Sequence, residues 1–194
     1  MEIGAIILAA GASLRLGRAK QLVSHNGETL LVRAIRVAHR AGARPLIVVL
    51  GAGYEEIAAS VDLSAAQVVR NADWEQGIAS SIHAGLRAME QFAPDGEGAM
   101  ILTCDQPRLT PEHLRLLMGT FRAQAGQCIV ASAYAADLGV PAVFPRKMFA
   151  ELYALSGDRG ARVLFKAGAR AVVPVDFPGG EIDVDTPQDL AGLD

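Results

Sequence analysis

Short apolar runs alternate with amphipathic stretches along this chain. Runs such as 5–8 and 46–50 are continuously apolar and bounded by turn-forming residues, which is typical of strands buried on both faces. Residues 29–41 instead place apolar side chains at helical spacing, and Gly42 follows where a helix end favours glycine. The pattern predicts strands at 5–8, 46–50, 67–69, 100–103, 129–133, 142–144, 171–175 and 182–184, and helices at 29–41, 54–60, 77–92, from Thr110 onward, 146–155, 159–167 and 187–193.

This alternation of strands and helices predicts the fold class. It favours a mostly parallel α/β sheet covered by helices on both faces. The 194 residues suffice for one domain with a substantial core, and no linker or repeat divides them. We therefore expect a single-domain, three-layer α/β/α, Rossmann-like fold over residues 1–194. Because such sheets bind ligands beyond the carboxyl ends of their strands, the loops after Leu8, Val69, Thr103 and Val184 are the informative ones.

The composition narrows the class of protein. Apolar residues make up 51% of the chain and charged residues 20%, as in folded globular proteins. The net charge of −3 disfavours a nucleic-acid partner, which normally requires a basic surplus. The first apolar run breaks at Gly11, too early for a signal peptide or a membrane span. Cys104 and Cys128 lack metal-binding spacing and are expected to be reduced thiols. We expect a cytoplasmic protein without a membrane partner.

The loop after the first predicted strand carries the clearest chemical signal. Residues 8–20 read LAAGASLRLGRAK and combine small residues with Arg15, Arg18 and Lys20 and no acid. Small residues let backbone N–H groups approach phosphate oxygens, and the basic side chains add charge. The glycine spacing is neither that of a dinucleotide fingerprint nor that of a P-loop. A flexible turn with solvated basic side chains would give the same composition.

This stretch resembles the LAxGxSxRxGxxK signature of the MobA-like nucleotidyltransferases. Ala10 resembles the cytidylyltransferases of the molybdenum cofactor (MocA-like), whereas the guanylyl-transferring branch tends to carry glycine there. Leu16 stands where methionine is usual, a change that conserves volume. Further MocA-like motifs follow in the family's order and span nearly the whole chain: 71–81 (NADWEQGIASS), 105–107 (DQP), 139–144 (GVPAVF), 157–162 (GDRGAR) and 183–187 (DVDTP).

The resemblance implies a reaction and a set of site residues. In this family the terminal phosphate of molybdopterin attacks the α-phosphorus of CTP, and pyrophosphate leaves. A molybdoenzyme or its chaperone is implied as a further partner. By the same resemblance, Arg15 and Lys20 are catalytic, because they stabilise the transition state and the leaving pyrophosphate. The implied nucleotide-binding residues are Leu8, Ala9, Ala10, Gly11, Ser13, Asn71, Gly77, Ser80 and Ser81.

Two carboxylates are candidates for holding Mg²⁺. Asp105 and Asp185 each follow a predicted strand and lie two positions before a proline. Carboxylates at strand ends can share one Mg²⁺, with water and phosphate oxygens completing its shell, and we expect them about 4–6 Å apart. Each residue also suits a helix N-cap, which leaves a structural role open. Asp183 alternates with Asp185 along a predicted strand, so it is expected to face the other way.

Several alternatives remain open on the sequence. The acceptor could be another phosphate, such as that of a sugar or polyol, and GTP could replace CTP. A non-catalytic nucleotide- or cofactor-binding module would carry the same loop. An NAD-dependent oxidoreductase is disfavoured, because the glycine fingerprint and the acid about 20 residues beyond it are absent. Residues around Pro141 and residues 157–162 are expected near the acceptor, without assigned roles.

Overall fold

The structure is a computed structural model and describes residues 2–166 and 172–191. Nine strands and six α-helices are found in these residues. The strands are β1 (Ile3–Ala9), β2 (Ser24–His25), β3 (Glu28–Thr29), β4 (Leu46–Leu50), β5 (Gln67–Arg70), β6 (Gly98–Thr103), β7 (Ile129–Tyr134), β8 (Asp137–Pro145) and β9 (Val172–Asp176). The helices are α1 (Leu30–Ala41), α2 (Tyr54–Ser60), α3 (Ile78–Phe92), α4 (Pro111–Ala123), α5 (Phe149–Tyr153) and α6 (Pro187–Ala191).

Seven of the strands form one sheet in the order β5-β4-β1-β6-β8-β7-β9. β1 pairs in parallel with β4 and β6, and β7 pairs in parallel with β9. β8 alone runs antiparallel to its neighbours β6 and β7. The expected mostly parallel sheet is therefore confirmed, with one reversed strand inside it.

Helices cover both faces of this sheet, as the three-layer prediction requires. Successive residues of β1 and β4 point to opposite faces, so Ile7 and Val48 pack with α1, α2 and α4, whereas Ile6 and Val49 pack with α3 and α5. All four side chains are fully buried. Burial of a side chain of this size stabilises a fold by about 1.5–3 kcal/mol, so the two apolar layers hold the strand ends in place.

Local sequence signals set most helix ends. The Thr29 hydroxyl accepts a hydrogen bond from Val32 N at the start of α1, and Gly42 ends that helix in the left-handed conformation. Thr110 caps α4 in the same way and Pro111 occupies its first turn. No helix in the described part of the chain combines the length and apolar character needed to cross a bilayer.

The predicted strand at 182–184 is wrong. Residues 182–185 form no sheet pairing, and the backbone of this segment instead contacts the chain after β6 through a hydrogen bond from Val184 N to Asp105 O at 3.0 Å. Val184 is fully buried with Leu16, Val23 and Leu30, and this packing accounts for the apolar pattern that resembled a strand.

Two helices and a hairpin also differ from prediction. Residues 146–155 form a 3₁₀ turn (Arg146–Met148) followed by α5. Of the predicted helix at 159–167, the described residues 159–166 contain only a 3₁₀ helix (Ala161–Phe165), which follows the extended Gly160. The β2–β3 hairpin was not predicted, although its Asn26-Gly27 turn, with both φ values positive, is a recognised hairpin signal. Residues 167, 171, 192 and 193 of predicted elements lie outside the described residues.

Candidate active site

A cavity of about 400 Å³ opens at the carboxyl ends of β1 and β6. These strands lie where the chain order in the sheet reverses, since β1 leads to β4 and β5 on one side and β6 lies on the other. Open α/β sheets bind ligands at such switch points. The cavity is lined by these predicted site residues: Leu8, Ala9, Ala10, Gly11, Lys20, Gly77, Ser81 and Asp105.

The loop after β1 presents unpaired backbone donors. In the described part of the chain, the N–H groups of Gly11, Ala12 and Ser13 have no hydrogen-bond acceptor. Ser13 adopts a left-handed conformation (φ 54°), and its Oγ accepts a hydrogen bond from Lys20 N at 3.1 Å. Ser13 itself lies outside the first cavity, behind the loop. The free N–H groups give this loop the donors that a phosphate chain requires.

Lys20 lies between the two predicted metal ligands. Its Nζ donates to Asp105 Oδ2 at 2.8 Å and to Asp185 Oδ1 at 2.6 Å, while Arg15 Nη2 donates to Asp185 Oδ2. The side chains of Lys20 and Asp105 are each 17% exposed and that of Asp185 is 23% exposed, whereas Arg15 is 72% exposed. The expected convergence of the two carboxylates is therefore present, because one nitrogen contacts both.

The charges of this cluster fix its protonation. Burial alone lowers the pKa of Lys20, but the charges and hydrogen bonds of Asp105 and Asp185 outweigh it and raise that pKa above its usual value. For Asp185 burial acts in the opposite direction and raises the pKa, but hydrogen bonds and charge from Lys20 and Arg15 bring that pKa below its usual value. The cluster thus holds charged basic and acidic groups side by side at neutral pH.

The carboxylate pair fits a small divalent cation. Hard carboxylate oxygens are preferred by Mg²⁺ and Mn²⁺, which complete their shells with water and phosphate oxygens. Within residues 2–166 and 172–191, no group of three or more His, Cys, Asp or Glu side chains is arranged to hold a metal ion. The ammonium of Lys20 already contacts Asp105 Oδ2 and Asp185 Oδ1, which a cation between these residues would also use. The cation and the ammonium would therefore compete for the same carboxylate oxygens.

Asp183 lies closer to this cluster than the alternation argument indicated. Burial and the negative charges of Asp185 and Asp105 raise the pKa of Asp183. The argument is wrong because residues 182–185 are not a strand, so alternate residues need not face opposite ways. Asp183 adds to the negative potential around the two candidate ligands.

Not all predicted base-binding residues reach the cavity wall. Asn71 is buried, and its Nδ2 donates to Ser80 Oγ at 2.8 Å and Ser81 Oγ at 3.0 Å. Ser80 Oγ in turn donates to backbone oxygens of Asp73 and Gly77. Ser81 lines the cavity, whereas Asn71 and Ser80 lie behind it and fix the shape of the segment.

Gly77 marks a close backbone contact at the base side of the cavity. Its φ is +100°, and a Cβ placed on it would lie 2.4 Å from the backbone oxygen of Gly157. The neighbouring Ala79 N donates to that same oxygen at 3.1 Å. The next residue, Asp158, lines the first cavity, so the start of the 157–162 segment, which was expected near the acceptor, borders the predicted nucleotide site.

Several lining residues were not predicted to bind the nucleotide. Trp74, the single tryptophan, packs against Gly51, where a Cβ would lie 2.6 Å from the Trp74 Cβ. Cys104 is buried, and burial followed by the charge of Asp105 raises the pKa of its thiol to about 12, so it stays protonated. The remaining lining residues include Ala12 and Leu14 of the predicted phosphate loop, Glu75 and Ile78 of the 71–81 motif and Asp158 of the 157–162 motif. No sequence signal marked the other two, Gln21 and Thr103, as parts of the site.

A second cavity of about 430 Å³ lies on the other side of Asp105. It shares Thr103 and Asp105 with the first cavity, and Val140 and Arg162 also line it. Arg162 is held in place because its Nε donates to Leu138 O and its Nη2 to Asp137. The expected acceptor-side residues near 140 and at 162 thus border one space adjoining the first.

Comparison with known proteins identifies the family to which this chain is similar. Residues 5–175 match the model of the MobA-like NTP transferase domain. The chain is 30% identical to purine catabolism protein PucB of Bacillus subtilis, covering 95% of this chain and 92% of that protein. It is also 30% identical to nicotine blue oxidoreductase of Paenarthrobacter nicotinovorans (97% and 94% covered) and to the molybdenum cofactor guanylyltransferase of Rhodobacter capsulatus (98% and 94%).

Solved structures show the same fold. Rv0371c of Mycobacterium tuberculosis superimposes with a TM-score of 0.85 at 30% identity, covering 100% of this chain and 97% of that one. A second structure of Rv0371c, described as a complex with manganese, gives a TM-score of 0.82 at 29% identity, covering 100% and 98%.

Proposed function

Because the chain belongs to the MobA-like NTP transferase domain family, we propose that it transfers CMP from CTP to the terminal phosphate of a small-molecule acceptor. The observation that carries the proposal is the meeting of three features at one cavity. Unpaired loop amides, the Lys20 ammonium and the Asp105 carboxylate line it, and the Asp185 carboxylate lies at its edge, bound to the same Lys20 nitrogen. Together they can bind a triphosphate and neutralise charge during its cleavage.

The transfer needs positioning and charge neutralisation more than covalent help. An acceptor phosphate oxygen forms a bond to the α-phosphorus of CTP. The bond from that phosphorus to the bridging oxygen breaks, and its electron pair leaves on pyrophosphate. Backbone amides of Ala10 to Ser13 hold the phosphates, while Lys20 and Arg15 offset the charge that develops on the leaving oxygen.

Mg²⁺ is the proposed cofactor, held by Asp105 and Asp185. When bound, it would supply charge neutralisation at the phosphates. The manganese in the described Rv0371c complex supports a divalent cation in this fold. With a cation held by these carboxylates, Lys20 would be free to contact a phosphate oxygen.

CTP is the proposed nucleotide. Ala10 is 5% exposed and lines the first cavity, so its methyl group narrows the space available to a base. Gly77 and Ser81 line the same cavity and offer backbone and hydroxyl groups to a base edge. A site that pairs specific donors and acceptors rejects the wrong base by leaving buried groups unpaired.

Molybdopterin is the proposed acceptor, placed in the second cavity. That cavity adjoins the first at Thr103 and Asp105, where an acceptor phosphate would meet the α-phosphate. The name of the Rhodobacter capsulatus relative supports a molybdenum-cofactor acceptor. A molybdoenzyme or its chaperone would then receive the product.

Pyrophosphate release tests the proposal. We expect release from CTP and molybdopterin that requires added Mg²⁺ and stops with a chelator. Titration calorimetry should show MgCTP binding at least about tenfold tighter than MgGTP, a difference of about 1.4 kcal/mol. Equal affinities would contradict the cytidylyl assignment, and nucleotide binding without turnover would indicate a binding module. Oxidation of NADH without pyrophosphate release would favour the chemistry in the name of the nicotine blue relative instead.

A further inference from the structure

Gln21 directly follows the last residue of the phosphate-loop motif and is almost completely buried, with 1% of its surface exposed. Its Nε2 donates to Ala9 O at 2.7 Å and to Gly11 O at 3.2 Å. Both hydrogens of the amide are therefore used on two carbonyls of one loop. Its Oε1 has no partner within the described residues, so the side chain binds the loop only through the two hydrogens on Nε2.

These two bonds determine where the loop amides point. In a trans peptide the C=O and the following N–H point in opposite directions. Because Gly11 O is turned toward Gln21, the N–H of Ala12 is turned away from it. The same holds for Ala9 O and the N–H of Ala10. The side chain thus sets the orientation of peptide units at both ends of the glycine.

A second contact from the same turn completes the arrangement. Lys20 N donates to Ser13 Oγ at 3.1 Å, and the 3₁₀ turn Lys20–Leu22 carries both Lys20 and Gln21. The loop is therefore tied at both ends to the turn that supplies the catalytic ammonium. A loop of small residues has high conformational freedom when unbound, so such ties reduce the ordering cost of ligand binding.

We infer that Gln21 is a positioning residue, which preorganises the amides of residues 10–12 for the triphosphate by holding the carbonyls of Ala9 and Gly11. The inference rests on the proposed function, since it assigns how the same loop binds phosphate. The inference concerns contacts to the phosphates and not to the base. Loss of Gln21 should therefore weaken the binding of CTP and of a triphosphate without a base by the same factor.

The structure offers a matched control in Gln106. This glutamine is 7% exposed, donates through Nε2 to Val140 O (3.1 Å) and Gly180 O (2.9 Å), and likewise leaves Oε1 without a partner in the described residues. It also directly follows a charged site residue, Asp105. Gln21→Met and Gln106→Met therefore each remove two hydrogen bonds from a buried glutamine to backbone carbonyls. One pair lies at the phosphate loop and the other at the wall of the second cavity, which is proposed for the acceptor and not for the triphosphate.

Titration calorimetry with MgCTP and with magnesium tripolyphosphate tests the inference on folded protein, checked by circular dichroism. We expect Gln21→Met to weaken both ligands by about tenfold, as the loss of two loop-ordering bonds predicts, and Gln106→Met to change either by less than about twofold. Gln21→Asn, whose shorter amide reaches only one carbonyl, should give an intermediate loss and serves if Gln21→Met fails to fold.

Three results overturn the inference. Unchanged affinity in both Gln21 variants would show that the amide does not orient the loop. Equal weakening in the Gln21 and Gln106 variants would show a general loss of stability. Neither of these affects the proposed function. Failure of the wild-type protein to bind either ligand would overturn the proposed function and this inference together.

Discussion

Replacing Lys20 with methionine removes the ammonium between Asp105 and Asp185 and keeps a side chain of similar length. One preorganised donor aimed at developing charge contributes about 10²- to 10³-fold to turnover. Lys20 belongs at the lower end of that range, because its ammonium already has two carboxylate partners at 2.8 and 2.6 Å and gives them up when it turns to a phosphate. We expect pyrophosphate release to fall by about 10²-fold, or about 2.7 kcal/mol of transition-state stabilisation.

The same substitution should strengthen metal binding in the absence of nucleotide. Without the competing ammonium, the two carboxylates lose the positive charge that contacts both of them, although Arg15 still contacts Asp185. Mn²⁺ alone should then bind about tenfold tighter, or about 1.4 kcal/mol. Opposite changes in turnover and in metal affinity are not expected from a general loss of structure. They follow only if Lys20 occupies the position that the cation takes.

A coupled assay for pyrophosphate measures the first effect, and titration calorimetry with Mn²⁺ measures the second. Lys147→Met is the control, because Lys147 is a surface lysine whose Nζ donates to Gln127 Oε1 at 2.7 Å. It should leave both quantities unchanged. Near-normal pyrophosphate release by Lys20→Met, or Mn²⁺ affinity that falls with turnover, would refute the reasoning.

Two further predictions concern stability. Burial lowers the pKa of His113 to about 4, so the folded state keeps this imidazole neutral. The unfolded chain instead gains a proton below about pH 6.5. The free energy of unfolding therefore falls as the pH drops from about 6.5 to about 4, by about 3 kcal/mol in total. Urea unfolding between pH 7 and pH 4.5 should show that loss, and His113→Gln, which keeps a donor for Ser132, should reduce it; an unaltered pH profile in the variant would contradict the assignment. Gly77→Ala should lower Tm and weaken MgCTP binding, because φ +100° and the 2.4 Å approach to Gly157 O both oppose a Cβ. Gly119→Ala, in α4 with nothing near its Cβ, should be neutral or stabilising by up to about 1 kcal/mol, and equal Tm losses in the two variants would disprove the close contact.

Local patterns in the sequence were sufficient for the first half of the sheet. The ends of β4 and α2 agree with prediction. α1 was predicted over residues 29–41; it begins one residue later, at Leu30, with Thr29 as its cap, and it ends before Gly42 as predicted. These elements are set by continuous apolar runs and by capping residues, whose effects act within a few positions. The sequence also singled out the loop after β1, because small and basic residues recur there at close spacing.

Elements without local signals were missed or misassigned. β8 extends from Asp137 to Pro145, well beyond the predicted 142–144. The sequence did not reveal its start because the turn from β7 uses Ala135 and Ala136 at positive φ, where glycine or asparagine would have marked a hairpin. Residues 182–184 carry a strand-like apolar pattern that in fact serves burial at the end of the sheet. The apolar pattern alone does not distinguish a strand from an irregular segment that buries one side chain, because both place apolar side chains in the core.

The candidate site shows the same division. The sequence by itself determined which residues carry charge and that Asp105 follows a buried strand. It placed Asp185 at the same edge of the sheet through a strand at 182–184 that the structure does not contain, and burial of Val184 instead holds that segment there. Only the tertiary structure placed Lys20 between them, bound Gln21 to the loop carbonyls and pressed Gly157 against Gly77. Lys20 lies 85 positions from Asp105 and 165 from Asp185 along the chain. Contacts over such separations depend on strand order and on how the two apolar layers pack, and no local preference of the chain encodes either.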